Sequence, residues 1–152
     1  MHMTSDAGVG RTLEQFGSSQ LVLSPIQRTT GQLQVVCMHL GPGGIIGHHQ
    51  AQSPQLFLVV QGEGWVRGAE QHQQPVPIHV GQAAFWESGE WHASGSEAGM
   101  SAIVIEGETL NPGQFMPEEL GPAGDQVREQ AQFSRPRSYV MPLQPAWPRR
   151  RV

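Results

Sequence analysis

The sequence contains no lysine, so all nine of its basic residues are arginines. Lysine forms Schiff bases with carbonyl substrates, and the phosphate-binding P-loop also depends on a lysine. The sequence therefore excludes Schiff-base chemistry through lysine and nucleotide binding by a P-loop.

Cysteine is almost absent, since Cys37 is the single example. One cysteine excludes an internal disulfide and a zinc site built from several thiolates. Cys37 lies in the apolar run of residues 35–38, Val-Val-Cys-Met. We therefore expect its thiol to be buried and unreactive.

Long apolar segments are also missing. The longest runs, such as residues 56–60 and 102–105, fall far short of the roughly 20 residues that a membrane-spanning helix needs. Residues 1–20 are polar and contain glycine, without the charged start and apolar centre of a secretory signal. These features predict a cytoplasmic protein that does not associate with membranes.

Charge is sparse and unevenly distributed. Charged residues make up 14% of the chain, with 13 acidic side chains against nine arginines. Residues 1–127 hold three of the arginines and twelve of the acids, whereas residues 128–152 hold six arginines and the remaining acid, Glu129. Because a nucleic-acid site needs clustered positive charge, the acidic body of the chain argues against nucleic-acid binding.

Glycine and proline, in contrast, are frequent, with 19 and 12 residues among 152. They separate short segments rich in β-branched and aromatic residues, a rhythm typical of sandwiches and barrels. The length suits one domain. We predict an N-terminal arm over residues 1–19, an all-β barrel over 20–106, and a proline- and arginine-rich C-terminal arm over 107–152 with helical turns near 124–133.

The segment of residues 55–61 is apolar on both of its alternating faces. Such a strand lines a barrel on one side and packs against a second sheet or a partner subunit on the other. This pattern predicts a homodimer. The glycine-containing residues 61–64 that follow predict a hairpin turn.

Two glycine- and histidine-containing segments carry the spacing of a known pair of motifs. In the first, the glycine-rich residues 41–47 precede His48 and His49, and six residues separate Gln55 from Gly62. The second segment begins some thirty residues later. Its residues that match the spacing of the second motif are Gly81, Glu87, Gly89, His92 and Ser96. Over residues 20–106 this arrangement resembles the cupin superfamily.

The resemblance implies a single cupin-type barrel, a double-stranded β-helix or jelly roll, with a metal site at its mouth. It implies metal ligands among His48, His49, Gln55 and His92. The chain departs from the family pattern at several positions. Only one of two paired histidines is present, Gln55 replaces a glutamate, Glu87 replaces a proline and Ser96 replaces an asparagine.

These departures change the ligand atoms that the chain can offer to a metal ion. Divalent ions favour imidazole nitrogen together with a carboxylate, and Gln55 offers an oxygen atom without the charge. The ion expected here is a divalent transition metal, with zinc, nickel, iron, manganese and copper all left open. His48 and His49 are adjacent, so strand alternation allows only one to face the barrel interior unless a bulge intervenes.

Other residues near these motifs complete the predicted site. Glu90 points the same way as His92 in an extended segment and is a candidate ligand or proton-transfer residue. The predicted small-molecule pocket is lined by Gln50, Phe57, Trp86 and Trp91. Two functions follow: a metal-binding cupin that binds or transforms a small organic molecule, or a binding cupin without metal chemistry. Whether the protein is an enzyme is left open.

Overall fold

The computed structural model describes residues 11–13, 15–19, 21–70, 72–119 and 137–141. Helix within these residues is limited to two short 3-10 turns, and strands dominate, which confirms the predicted all-β fold. The strands are β1 (Arg11–Leu13), β2 (Leu21–Leu23), β3 (Gln34–Leu40), β4 (Gly44–Gln50), β5 (Gln55–Arg67), β6 (Val76–His79), β7 (Gln82–Trp86), β8 (Trp91–Ser96), β9 (Met100–Glu106) and β10 (Arg137–Val140).

Strand β5 is continuous, so the hairpin turn predicted for residues 61–64 is wrong. The strand instead bulges between Val59 and Gln61, and its pairing with β9 continues to Gly62. Gly62 has a φ of 74° and lies against the backbone oxygen of Gly99, where no side chain would fit. Glycine at this position therefore bends the strand without reversing it.

The bent strand β5 belongs to two antiparallel sheets. Its first half pairs with β7 and β9, giving the order β10-β7-β5-β9-β3. Its second half pairs with β6 and β8, and β4 pairs with β8. The separate pair β1 and β2 completes the described strands. The second predicted motif consequently lies on β7 and β8, on either side of β5.

Apolar side chains from both sheets fill the space between them. This interior cluster includes Phe57, Val59, Val66 and Trp86, all at most 2% exposed. Strand alternation explains the pattern, because residues of β5 two apart share one face. Trp86 thus reaches the interior from β7.

The opposite face of β5 is covered by residues of the same chain. Leu56 and Leu58 pack in an outer cluster with Met116 and Tyr139, which lie in the predicted C-terminal arm. Tyr139 comes from β10, which extends the sheet through its pairing with β7. The homodimer remains a prediction, and the apolar face that suggested it is occupied by this segment.

Cys37 is exposed on the outer face of β3, so the prediction of a buried thiol is wrong. Its neighbours Val36 and Met38 are the residues that pack on the interior cluster. Because side chains alternate along a strand, Cys37 must lie on the opposite face. Burial of an apolar run on both faces requires a second covering layer, and no described residue covers β3 at Cys37.

No helix in the described part of the chain is long and apolar enough to span a membrane. The helical turns predicted near residues 124–133 lie outside the described residues.

Candidate functional site

A bulge in β4 decides which of the two adjacent histidines pairs with His92. Ile46 pairs with Ser94 of β8, and the next pair along the ladder is His49 with His92. The two residues Gly47 and His48 therefore stand opposite the single residue Ala93. This extra residue shifts the alternation and brings His49, the second of the two adjacent histidines, beside His92.

The imidazoles of His49 and His92 face each other across the ladder. Their ring centroids are 4.3 Å apart, with an interplanar angle of 54°. His49 Nδ1 lies 2.7 Å from the carbonyl oxygen of Gly47, and His92 Nδ1 lies 3.3 Å from that of Glu90. Because a carbonyl only accepts hydrogen bonds, each neutral ring carries its proton on Nδ1 and leaves the Nε2 lone pair available.

His92 is buried and held against an aromatic ring. It is 2% exposed and stacks on Trp86, with ring centroids 4.1 Å apart. Desolvation by burial lowers the pKa of His92 from 6.5 to about 4, and the nearby His49 and His48 contribute in the same direction. At neutral pH the His92 imidazole is therefore uncharged and available as an acceptor or a ligand.

His48 has different partners. Its ring stacks on Trp91 at a centroid distance of 5.0 Å, and its Nε2 atom lies 3.1 Å from the carbonyl oxygen of Ala69. That carbonyl receives the Nε2 proton. Trp91 is 43% exposed, so this stack lies at the surface. The Nε2 atom of His48 is thus used within the protein, whereas those of His49 and His92 have no described partner.

Gln55 is buried and paired with a carboxylate that sequence reasoning missed. Its amide Nε2 donates to Glu106 Oε1 at 2.5 Å, and Gln55 is only 6% exposed. Glu106 ends β9, directly opposite Gln55 in the register and on the same strand face as Val104. The alternation of side chains between the two faces of a strand over residues 100–106 could have indicated that Glu106 shares a face with Val104. Only the pairing of β5 with β9 shows that Glu106 lies beside Gln55.

The other predicted pocket residues are divided between the interior and the rim. Phe57 meets Trp86 edge-on, with centroids 6.2 Å apart, inside the barrel. Gln50 is exposed and donates to the carbonyl oxygen of Gly89. Glu90 accepts a hydrogen bond from the backbone N–H of Glu87 through Oε2, so its carboxylate closes the turn between β7 and β8.

Trp86 carries an unsatisfied donor. Its indole Nε1 is buried and has no hydrogen-bond partner within the described part of the chain. Buried polar groups are almost always paired, and an unpaired one costs about 1–3 kcal/mol. The donor belongs to the ring on which His92 stacks.

No group of three or more histidine, cysteine, aspartate or glutamate side chains among the described residues is arranged to hold a metal ion. Catalytic metal sites normally have three protein ligands. The described side chains therefore form a pair of histidines rather than a complete conventional metal centre.

No protein-family model matches the chain, and no curated protein matches it. Among solved structures, it is similar to a cupin superfamily protein from Desulfitobacterium hafniense, with 13% identity over 54% of this chain and 72% of the other and a TM-score of 0.45. It is also similar to tomato vicilin, with 19% identity over 53% of this chain and 24% of the vicilin and a TM-score of 0.46.

A third similar structure is a predicted oxalate decarboxylase from Thermotoga maritima, with 24% identity over 47% of this chain and 62% of the other and a TM-score of 0.42. The three names include a predicted enzyme and a vicilin, and fold alone does not determine which activity a barrel carries.

Proposed function

We propose that this chain binds a small organic molecule at the end of the barrel where His49, His92 and Trp86 meet. The buried indole N–H of Trp86, which has no partner among the described residues, is the observation that carries the proposal. A bound molecule with an acceptor atom would remove the cost of leaving this donor unpaired. The ligand is therefore expected to offer an oxygen or nitrogen lone pair to Trp86.

The histidine pair defines a second requirement. Both Nδ1 atoms are engaged by backbone carbonyls, so the Nε2 atoms of the neutral rings are acceptors. Acceptor atoms of this kind favour a molecule that has hydroxyl or N–H groups.

A divalent transition metal is the second candidate ligand. Imidazoles whose Nδ1–H is held by a carbonyl are oriented as metal-binding histidines usually are. His49 and His92 would hold the ion through Nε2, and the amide oxygen of Gln55 would be the third donor. Nitrogen-rich donors favour nickel, copper or zinc, and a bound ion would supply Lewis-acid chemistry.

The test begins with protein purified without an affinity tag. Elemental analysis would be followed by calorimetry with a panel of neutral hydroxylated and amide compounds, with and without added nickel or zinc. Binding of an organic compound in the chelated protein supports the first proposal. Stoichiometric metal that is lost in His92→Ala supports the second.

The Trp86→Phe variant is the sharpest probe of the first proposal. It keeps an aromatic ring beside His92 and removes only the N–H and part of the ring. We expect organic-ligand affinity to fall about tenfold, the value of one neutral hydrogen bond. Trp65→Phe is the matched control, because the Trp65 ring lies against Gly95 rather than His92. Equal affinity in both variants and in the unmodified protein would reject the role of the indole N–H.

A further inference from the structure

A cysteine, a histidine and a serine lie together on the outer face of β3 and β9. Cys37 Sγ is 3.5 Å from His39 Nε2, and His39 Nδ1 is 2.8 Å from Ser101 Oγ. Cys37 and His39 are two residues apart on β3 and share its outer face, while Ser101 is directly opposite His39 on β9. Strand alternation and register together create the cluster.

The arrangement has the parts of an activated nucleophile. In such sites a base lies within reach of the nucleophile, and a third group orients the base. With the His39 proton on Nδ1 and donated to Ser101 Oγ, the Nε2 lone pair faces the thiol and can accept its proton. Because Cys37 is exposed, a dissolved reagent can reach Sγ.

We propose that Cys37 is a modification site that forms a mixed disulfide with a low-molecular-weight disulfide of the glutathione type. His39 accepts the thiol proton, and Ser101 is a positioning residue that fixes the His39 ring. Sγ attacks one sulfur of the reagent, so that a new S–S bond forms and the S–S bond of the reagent breaks. The departing thiolate takes the proton from His39 and leaves as a free thiol.

The electrons balance without a further reactant. The thiol of Cys37 is oxidised to the level of a disulfide, and the departing half of the reagent is reduced to a thiol. The cluster lies on the face of β3 opposite the interior residues Val36 and Met38. The proposal is thus independent of the histidine pair and of any ligand bound inside the barrel.

The experiment measures the rate at which the full-length chain forms an adduct with glutathione disulfide. Cys37 is the single cysteine, so intact-protein mass spectrometry counts modification at this site alone. We expect one glutathionyl group per chain, and none in Cys37→Ser. His39→Gln should slow the reaction at neutral pH by about tenfold or more, because a positioned general base contributes factors of this order and above.

His79→Gln is the matched control, since His79 is an exposed strand histidine whose Nδ1 bonds to Glu63 instead of a thiol. Its rate should equal that of the unmodified chain. Ser101→Ala should slow the reaction less than His39→Gln and should change the pH profile in the same direction. Circular dichroism and thermal unfolding would check that every variant is folded.

Two results would overturn the proposal. One is the absence of an adduct in the folded, reduced protein. The other is a rate in His39→Gln equal to that of the unmodified chain across the pH profile, since Cys37 would then react as an ordinary exposed thiol.

Discussion

The imidazole of His92 stacks on the indole of Trp86 with ring centroids 4.1 Å apart and an interplanar angle of 17°. The stack joins β7 to β8 inside the barrel and removes the histidine from water. It accounts for the uncharged state of His92 at neutral pH, since burial penalises the protonated ring.

The first prediction concerns acid stability of the chelated protein. The pKa of His92 is about 4 in the folded chain against 6.5 in a model peptide, so the unfolded chain binds more protons between these values. The stabilising contribution is therefore complete above about pH 6.5 and is lost as the pH falls towards 4, up to about 3 kcal/mol. Urea unfolding at several pH values would measure the slope.

The variant His92→Leu should show a shallower loss of stability over this pH range. His72→Gln is the control, because His72 is an exposed histidine that pairs with Glu70 at the surface. If His92→Leu and the unmodified chain have the same slope, burial of His92 does not control acid stability.

The second prediction concerns the amide that replaces a family carboxylate. Gln55→Glu would place a second carboxylate against Glu106, where the Gln55 amide now donates a hydrogen bond. Loss of this bond and repulsion between the carboxylates should lower the free energy of unfolding at neutral pH by about 1–3 kcal/mol. Thermal or urea unfolding would measure the change.

The double variant Gln55→Glu with Glu106→Gln exchanges the two groups and should recover most of that stability. A double variant as unstable as Gln55→Glu alone would contradict the assignment of the effect to the pair. Added zinc or nickel should also restore the single variant if the paired carboxylates capture the ion.

The third prediction tests the bend in β5. Gly62→Ala should destabilise the protein by about 1–3 kcal/mol, because Gly62 has a positive φ and its added methyl would collide with the backbone of Gly99. Gly47→Ala is the control, since an added Cβ at Gly47 meets nothing within 4 Å. Urea unfolding should separate the two variants, and equal stability would mean that β5 tolerates a side chain at the bend.

The fourth prediction tests the covering of the outer face by the chain itself. Tyr139 is 5% exposed and packs with Leu56 and Phe85. Tyr139→Ala should cost about 3–5 kcal/mol, as other aromatic-to-alanine changes in cores do. Ser138→Ala on the same strand should change stability by about 0.5 kcal/mol or less. Denaturation at several protein concentrations would also report on the predicted homodimer.

Local pattern was enough to predict the all-β class of this fold. Short segments of strand-forming composition between glycines and prolines are a local property of the sequence. The same approach failed for residues 61–64, where glycines suggested a reversal. Only the pairing of β5 with β9 shows that these residues continue the strand.

The residues of the candidate site could also be predicted only in part from the sequence. Motif spacing singled out His92, Gln55 and the adjacent histidines, but it left open which of His48 and His49 faces inward. The bulge in β4 pairs His49, which is exposed, with the buried His92. It arises from how two strands distant in sequence align, which alternation within one strand cannot reveal.

Composition and short-range periodicity were sufficient to predict the all-β class and to exclude lysine chemistry and an internal disulfide. Tertiary structure decided the pairing of His49 with His92, the bond from Gln55 to Glu106, and the exposure of Cys37 beside His39. Each of these depends on register or layering between separate strands. Long-range packing, rather than residue type, therefore defines both the proposed ligand site and the proposed modification site.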